Sequence, residues 1–153
     1  ALRSTLSLVF DQYYKDDEGN WVWGTNTEKS DLLYVDGMIT ARGWDTLYYQ
    51  RAIWDNIFEL RMPIVEDYIW WDWFISATAP YYEVADLLDF TIDDFQFSFG
   101  GGARLTIQQL PIGLYLVKRF QINDGVVEWE SSSSSIFSPL DLDLVVSFNI
   151  DLF

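Results

Sequence analysis

Residues 95–107 alternate strictly between two kinds of side chain, and this pattern constrains the fold more than any other feature of the chain. The odd positions from Phe95 to Ile107 are apolar or small, whereas the even positions from Gln96 to Thr106 are polar or glycine. Because successive side chains of a β-strand point to opposite faces, the segment predicts a strand with one apolar and one polar face. Similar alternation recurs along most of the chain. The apolar face must therefore meet something other than water.

The composition excludes several classes of function. Twenty-four acidic residues against nine basic ones give a formal net charge of -15, whereas nucleic-acid surfaces need a basic stripe. Histidine and cysteine are absent, which excludes thiol nucleophiles, histidine general bases and zinc sites built on these ligands. The length of 153 residues fits one domain or part of one. No stretch approaches the roughly twenty apolar residues of a membrane-spanning helix, so a membrane-spanning form would have to be a β-barrel.

About six strands are predicted from the alternation and the turn signals between them. Their bounds are Leu2–Gln12, Ile57–Ile64, Tyr68–Ala77, Phe95–Ile107, Ile112–Ile122 and Leu140–Leu152. Residues 15–54 show no clear period and are predicted as a loop of roughly forty residues, a length usually tied to function. The connections at 80–94 and 123–139 are also long, whereas those at 65–67 and 108–111 are short.

Strand length and loop asymmetry favour an antiparallel up-and-down transmembrane β-barrel. Strands of about ten residues suit a tilted membrane span, and outer-membrane barrels alternate long outer loops with short inner turns. A soluble β-sandwich or ligand-binding barrel is the alternative, with strands nearer five or six residues and apolar inner faces. Because membrane barrels have at least about eight strands, we expect this chain to supply about six strands of a larger barrel.

The long loop carries a sequence that resembles a known family. Arg42, Gly43 and Trp44 resemble the arginine-glycine-aromatic loop motif of the BamA-like outer-membrane barrel-assembly insertases. Alanine precedes the arginine where that family has a larger aliphatic residue, and tryptophan replaces its commoner phenylalanine. Further segments resemble the strands of the family in order, namely 58–63, 70–74, 100–104, 110–112 and 148–153. The resemblance covers nearly the whole chain, 1–153, as the carboxy-terminal portion of an outer-membrane barrel domain.

The resemblance implies that the loop folds back into the barrel lumen, where Arg42 meets Glu59 and Asp72 on the inner wall. Strand parity independently places both acids on the polar face. A guanidinium between two carboxylates in a partly dehydrated lumen would form charge-assisted hydrogen bonds. In the simpler interpretation, Arg42 is a solvated loop residue and the two acids only keep a wet lumen soluble.

The end of the chain resembles the carboxy-terminal strand signal of outer-membrane barrels. The residues implied in that signal are Phe148, Ile150, Leu152 and Phe153.

By resemblance, the function is the assembly and insertion of β-barrel proteins into the bacterial outer membrane by strand templating at a lateral seam. Such a protein is integral to that membrane, is not an enzyme, and needs no cofactor or metal. Its expected partners are outer-membrane lipids, unfolded outer-membrane clients and assembly lipoproteins, with no nucleic acid among them.

Three other functions remain open at this point. A two-partner-type secretion pore or a passive outer-membrane channel would have the same architecture, with the loop as a plug. A soluble β-sheet binding protein is less consistent with the strand lengths. An enzyme would use acid pairs such as Asp141 with Asp143, or Asp93 with Asp94, but such pairs more often line a wet lumen.

Overall fold

A computed structural model describes all residues except 12, 24–26, 108–109, 131–140 and 149–153. In this part of the chain eleven β-strands and three short 3₁₀-helices follow one another. The strands are β1 (Leu2–Leu8), β2 (Tyr13–Lys15), β3 (Trp21–Trp23), β4 (Leu33–Val35), β5 (Leu47–Gln50), β6 (Ala52–Val65), β7 (Ile69–Tyr81), β8 (Gln96–Ile107), β9 (Leu110–Asn123), β10 (Val126–Glu130) and β11 (Asp143–Phe148). The helices are Lys29–Asp31, Ala85–Asp89 and Ile92–Asp94. The fold is therefore all-β.

The main sheet is antiparallel, with strand order β1-β6-β7-β8-β9-β10. The four central strands, β6 to β9, follow one another in sequence and pair with their neighbours along nearly their full lengths. Strand β1 forms one edge through its pairing with β6. The sheet formed by the described residues is not closed into a barrel. Closure of the barrel therefore stays a prediction.

The other edge of the sheet is divided between two strands. Strand β10 pairs with residues 119–123 of β9, and β11 pairs with residues 112–117 of the same strand. Both run antiparallel to β9, so they form one interrupted edge. The turn between β9 and β10 is Asp124-Gly125, and both residues have positive φ, as a tight two-residue hairpin requires.

The two faces of the sheet differ sharply in chemistry. One face, here called the outer face, carries large apolar side chains that are exposed. Among them are Phe58, Leu60, Met62, Ile64, Trp73 and Ile75. The opposite, polar face carries buried charged or hydroxyl side chains at the alternate positions. Among these are Asp55, Glu59, Asp72, Ser76 and Thr78. The predicted alternation of β6 and β7 is thus found in the structure.

The polar face is partly covered by the 36–44 loop between β4 and β5. Val35 and Ala41 pack against Ile53 of β6 in a small core, together with Trp44 and Leu47. A second core lies on the sheet itself, where Ile57, Phe74, Tyr115 and Val117 meet. Two apolar cores therefore lie on the polar face, one of them beneath the loop. A third lies at outer-face positions of β6 and β7, where Ala52, Ala79 and Tyr81 pack with Leu87 and Phe95.

The segment predicted as a long loop, 15–54, contains more structure than its sequence indicates. Strands β2 and β3 form one small hairpin, β4 and β5 form another, and β6 already begins at Ala52. Outside the sheet, Asp11 accepts hydrogen bonds from Arg51 and Thr27, and the bond from Arg51 lowers the pKa of Asp11 below its usual value of 3.8. Strands of three or four residues are too short to show a period, which explains the difference.

Two other predicted boundaries need correction. The 123–139 connection was expected to be a loop, yet β10 occupies Val126–Glu130. The last strand was expected over Leu140–Leu152, whereas the described strand is Asp143–Phe148 and residues 149–152 lie outside the described part. The Asp124-Gly125 pair is a hairpin signal in the sequence that indicates β10.

Gly102 of β8 allows the close approach of β9 and provides a test of the sheet. A Cβ atom at Gly102 would lie 2.7 Å from the Cα of Tyr115 and would also collide with the Leu114 carbonyl oxygen. We expect Gly102→Val to lower the free energy of unfolding by about 1–3 kcal/mol because the collision is with backbone. Urea unfolding would measure the loss. Ala103→Val adds similar bulk on the outer face and should cost less; an equal loss would contradict the argument.

Candidate functional site

The 36–44 loop is held in shape by hydrogen bonds within the loop. One carboxylate oxygen of Asp36 accepts hydrogen bonds from the backbone N–H groups of Met38, Ile39 and Thr40, at 2.8 to 2.9 Å. The Gly37 N–H donates to the carbonyl oxygen of Thr40 at 3.0 Å. Asp side chains commonly organise turns in this way because they satisfy several backbone donors at once. The loop therefore presents its following residues in a fixed conformation.

Gly43 fits a position that other residues cannot occupy without strain. Its φ is +93°, and a Cβ atom there would lie 2.6 Å from Cγ1 of Val117 on the sheet. Its N–H donates to the Gly37 carbonyl oxygen at 2.7 Å. Ala41 also has a positive φ, +49°, and is fully buried. The backbone around Arg42 is thus tightly turned and pressed against β9.

Arg42 extends from this turn onto the polar face of the sheet. Its guanidinium carbon lies 4.5 Å from the ring centroid of Phe74 and 4.4 Å from that of Tyr115. Nε donates to the Met38 carbonyl oxygen, and Nη2 donates to Oε1 of Glu59, both at 3.0 Å. Only 7% of the residue is exposed. A guanidinium on aromatic faces and beside a carboxylate is stabilised by cation–π attraction as well as by charge.

Glu59 on β6 accepts hydrogen bonds from two cations. Its Oε1 accepts from Arg42, and its Oε2 accepts from Nε and Nη2 of Arg61 at 3.1 and 2.7 Å. Both oxygens of a buried carboxylate are therefore bonded to charged donors. Such charge-assisted bonds are stronger than neutral ones.

Asp72 is completely buried but does not contact Arg42, contrary to the implied three-residue arrangement. Its carboxylate forms an ion pair with Arg104 at 2.9 Å and accepts a hydrogen bond from the Tyr115 hydroxyl at 3.0 Å. These two groups on β8 and β9 occupy the carboxylate. Tyr115 therefore links the two acids, because its ring lies against Arg42 while its hydroxyl binds Asp72.

Trp44 anchors the end of the loop. Its indole Nε1 donates to the backbone carbonyl oxygen of Phe97 on β8 at 3.1 Å. The guanidinium carbon of Arg119 lies 5.5 Å from the Trp44 ring, and the same side chain approaches Asp143 of β11 at 3.0 Å. The indole thus connects the loop to the region where β8, β9 and β11 meet.

Four side chains of this site were not predicted from the sequence, namely Arg61, Phe74, Arg104 and Tyr115. Because successive side chains of a strand point to opposite faces, the sequence places Phe74 of β7 and Arg104 of β8 on the polar face. This alternation was the signal that could have identified them. In the strand predicted over Ile112–Ile122, the charged residues Lys118 and Arg119 adjoin, so the sequence leaves the facing of Tyr115 ambiguous. In the structure, Arg119 is buried on the polar side and Lys118 pairs with Asp141.

The predicted strand signal lies mostly outside the described residues. Phe148 ends β11 opposite Ile112, and its side chain is not described. Ile150, Leu152 and Phe153 fall in the undescribed segment 149–153.

Asp141 and Asp143, considered above as an acid pair, form ion pairs with Lys118 and Arg119 at 3.0 Å. Within the described ranges, no three acidic, histidine or cysteine side chains gather as potential metal ligands. None of the helices in the same ranges is long and apolar enough to cross a membrane.

Comparison with known proteins gave no identification. No family model, no curated protein and no solved structure matches the chain.

Removal of the Glu59 charge tests the shared ion pair. We expect Glu59→Gln to lower the free energy of unfolding by about 3–5 kcal/mol, because Arg42 would remain buried without a counter-charge. Urea unfolding of the refolded chain would measure the change. Asp11→Asn, which removes a carboxylate from the ion pair with Arg51 outside the sheet, should cost much less. Similar losses for the two variants would contradict a special role for Glu59.

Gly43 can be tested against a second glycine with a similar backbone. Gly125 has φ +76° and open space around it, whereas Gly43 faces Val117. Gly125→Ala should lose about 1–2 kcal/mol from the unfavourable φ alone. Gly43→Ala should lose more, because the collision with β9 is added. Thermal or urea unfolding of both variants would show the difference, and equal losses would rule out tight packing of the loop on the sheet.

Proposed function

We propose that the main sheet forms part of the wall of an outer-membrane β-barrel of the barrel-assembly insertase type, with the 36–44 loop in the lumen. The observation that carries the proposal is that large apolar side chains are exposed on one face while charged side chains are buried on the other, which is the reverse of a soluble sheet. In a soluble β-sandwich the apolar face is covered. In this sheet, Phe58 and Ile75 are more than half exposed on the outer face, whereas Glu59 and Asp72 are buried on the polar face.

The positions of the aromatic residues support a lipid-facing outer surface. Trp71 and Trp73 pack edge to face near the β6–β7 turn, with ring centroids 5.7 Å apart. A second group, Phe97, Phe120 and Trp129, stacks across β8, β9 and β10. Phe97 pairs with Ala77, six residues beyond Trp71 on β7, which is roughly 20 Å along the strand. Aromatic girdles in outer-membrane barrels flank an apolar band of about 25 Å.

The loop contacts support the placement of the 36–44 loop in the lumen, which the insertase and the secretion pore would share. Arg42, Gly43 and Trp44 of the arginine-glycine-aromatic sequence all bond or pack against the polar face. Arg42 reaches Glu59, as the resemblance implied, although Asp72 takes other partners. We infer that this contact holds the loop inside the lumen and keeps the wall rigid while one edge exchanges strands.

The edges of the sheet are where strands would be exchanged. In the described residues, β1 and the β10–β11 edge each pair on one side only. Unpaired backbone groups in lipid cost several kcal/mol each, so the edges must pair with other strands of the barrel or with an incoming strand. An incoming client strand would add to the edge by main-chain hydrogen bonds, as in β-augmentation. In this proposal the protein assembles and inserts β-barrel proteins without a cofactor.

A secretion pore is the second candidate, and the cover that the loop provides favours it. A loop ordered on the polar face would also occlude a lumen. The two functions differ in the fate of the cargo. A pore passes an unfolded chain across the membrane, whereas an insertase leaves the chain folded within the bilayer.

Membrane orientation can be tested with nitroxide labels, since the chain contains no cysteine. Leu60 and Arg61 are neighbours on β6 that point to opposite faces. Single labels at Leu60→Cys and Arg61→Cys would be introduced into protein reconstituted in phospholipid vesicles. We expect the label at position 60 to be more accessible to oxygen and the label at 61 to be more accessible to a water-soluble nickel chelate. Equal or inverted accessibilities would overturn the membrane assignment.

The activity can be tested with an unfolded outer-membrane protein as client. Proteoliposomes containing this protein should fold the client several-fold faster than empty liposomes, as measured by its heat-modifiable electrophoretic mobility. Arg42→Glu should abolish the acceleration, whereas the matched reversal Arg51→Glu, at an arginine that pairs with Asp11 and not with Glu59, should retain it. Transport of an unfolded chain without folding of the client would support the secretion pore, and no effect on either would refute both.

A further inference from the structure

A cavity lies on the polar face of the sheet, beside the 36–44 loop. Its volume is about 200 Å³, and four arginines from different segments line it. Arg3 comes from β1, Arg42 from the loop, Arg61 from β6 and Arg104 from β8. Four guanidinium groups around one cavity contrast with the formal net charge of -15 for the whole chain. We propose that this cavity binds a small soluble oxyanion of the phosphate class.

The carboxylates around the cavity do not neutralise all of this positive charge. Glu59 is the acidic side chain that lines the cavity, and it serves both Arg42 and Arg61. The remaining two arginines each have one acidic partner, as Arg3 pairs with Asp55 and Arg104 with Asp72, both at 2.9 Å. Three carboxylates thus face four guanidinium groups. The excess of one positive charge favours an anion.

Two buried donors around the cavity lack an acceptor among the described residues. They are Nη1 of Arg42 and Nε of Arg104. Arg42 is 93% buried, since only 7% of the residue is exposed. Buried polar groups nearly always have a hydrogen-bond partner, so unfilled donors on two arginines at one cavity indicate a missing acceptor. Each guanidinium offers five N–H donors and no acceptor of its own, so an anion is the matching partner.

The geometry favours a phosphate-class anion over other small anions. Guanidinium groups bind phosphate and carboxylate oxygens in pairs, which a spherical halide cannot reproduce. Arginines that arrive from four segments suit a tetrahedral ligand with acceptors in several directions better than a planar carboxylate. The cavity volume far exceeds the roughly 10–15 Å³ that one water molecule requires. Because the cavity is on the face opposite the exposed apolar surface, the ligand is a soluble oxyanion and not a lipid headgroup.

The test uses inorganic phosphate and the full chain in detergent solution. Isothermal titration calorimetry at constant ionic strength should show saturable binding of phosphate and no comparable binding of chloride. Arg61→Gln should weaken the affinity about tenfold or more, as expected for loss of a hydrogen bond to a charged group. This variant leaves Glu59 paired with Arg42. The matched control is Arg51→Gln, whose arginine pairs with Asp11 away from the cavity and whose loss should leave the affinity unchanged.

Several outcomes would overturn the proposal. These are absence of saturable phosphate binding by the folded wild-type chain, an equal loss of affinity in Arg51→Gln, and binding of dispersed phosphatidic acid without binding of inorganic phosphate. Arg3→Gln, at a half-exposed position of the cavity wall, provides a second variant, with folding checked by circular dichroism. Unchanged affinity in both cavity variants would also refute the site. The proposal concerns the cavity alone and holds whether or not the opposite face meets lipid.

Discussion

The carboxylate of Glu59 connects the loop to the sheet, because its two oxygens accept hydrogen bonds from Arg42 of the loop and Arg61 of its own strand. Taking a charge out of water is expensive unless it is paired and hydrogen-bonded. Arg42 meets that requirement through Glu59 and through the rings of Phe74 and Tyr115. The loop conformation depends on the same contacts, since only a tight turn brings the guanidinium to this position. The loop, three strands, Glu59 and Asp72 are thus held by one set of interactions around the Arg42 side chain.

The two-faced sheet imposes a second requirement on the rest of the chain. A sheet with most of its apolar side chains directed outward builds much of its core on the polar face. The 36–44 loop supplies the missing apolar groups, since Val35 and Ala41 pack against Ile53 on that face. Small apolar clusters and ion pairs therefore lie side by side in the interior. Such an interior is stable only if nearly every charge has a partner, which accounts for the ion pairs on the polar side.

The sequence predicts the long strands well because their side chains alternate over ten or more residues. That alternation placed Glu59 and Asp72 on the polar face, where the structure has them. The partner of Asp72 was not predictable, because the choice between Arg42 and Arg104 depends on a hydroxyl from β9, more than forty residues away in sequence. The short hairpins and β10 escaped prediction because three to five residues carry no clear period. Closure of the sheet is a property of strand tilt and stagger that alternation alone does not encode.

The interrupted edge of β9 divides strand separation into two independent steps. In the described residues, Val126–Glu130 pair with residues 119–123 of β9 and Asp143–Phe148 pair with residues 112–117, so β10 and β11 hold separate stretches of the same strand. A continuous strand separates from its neighbour by losing hydrogen-bonded residue pairs one after another from one end. With two separate ladders, the six pairs of β11 can be released while the five pairs of β10 remain as an attached hinge. The interruption therefore lets a large part of the edge become free at a fraction of the free energy needed to detach the whole strand.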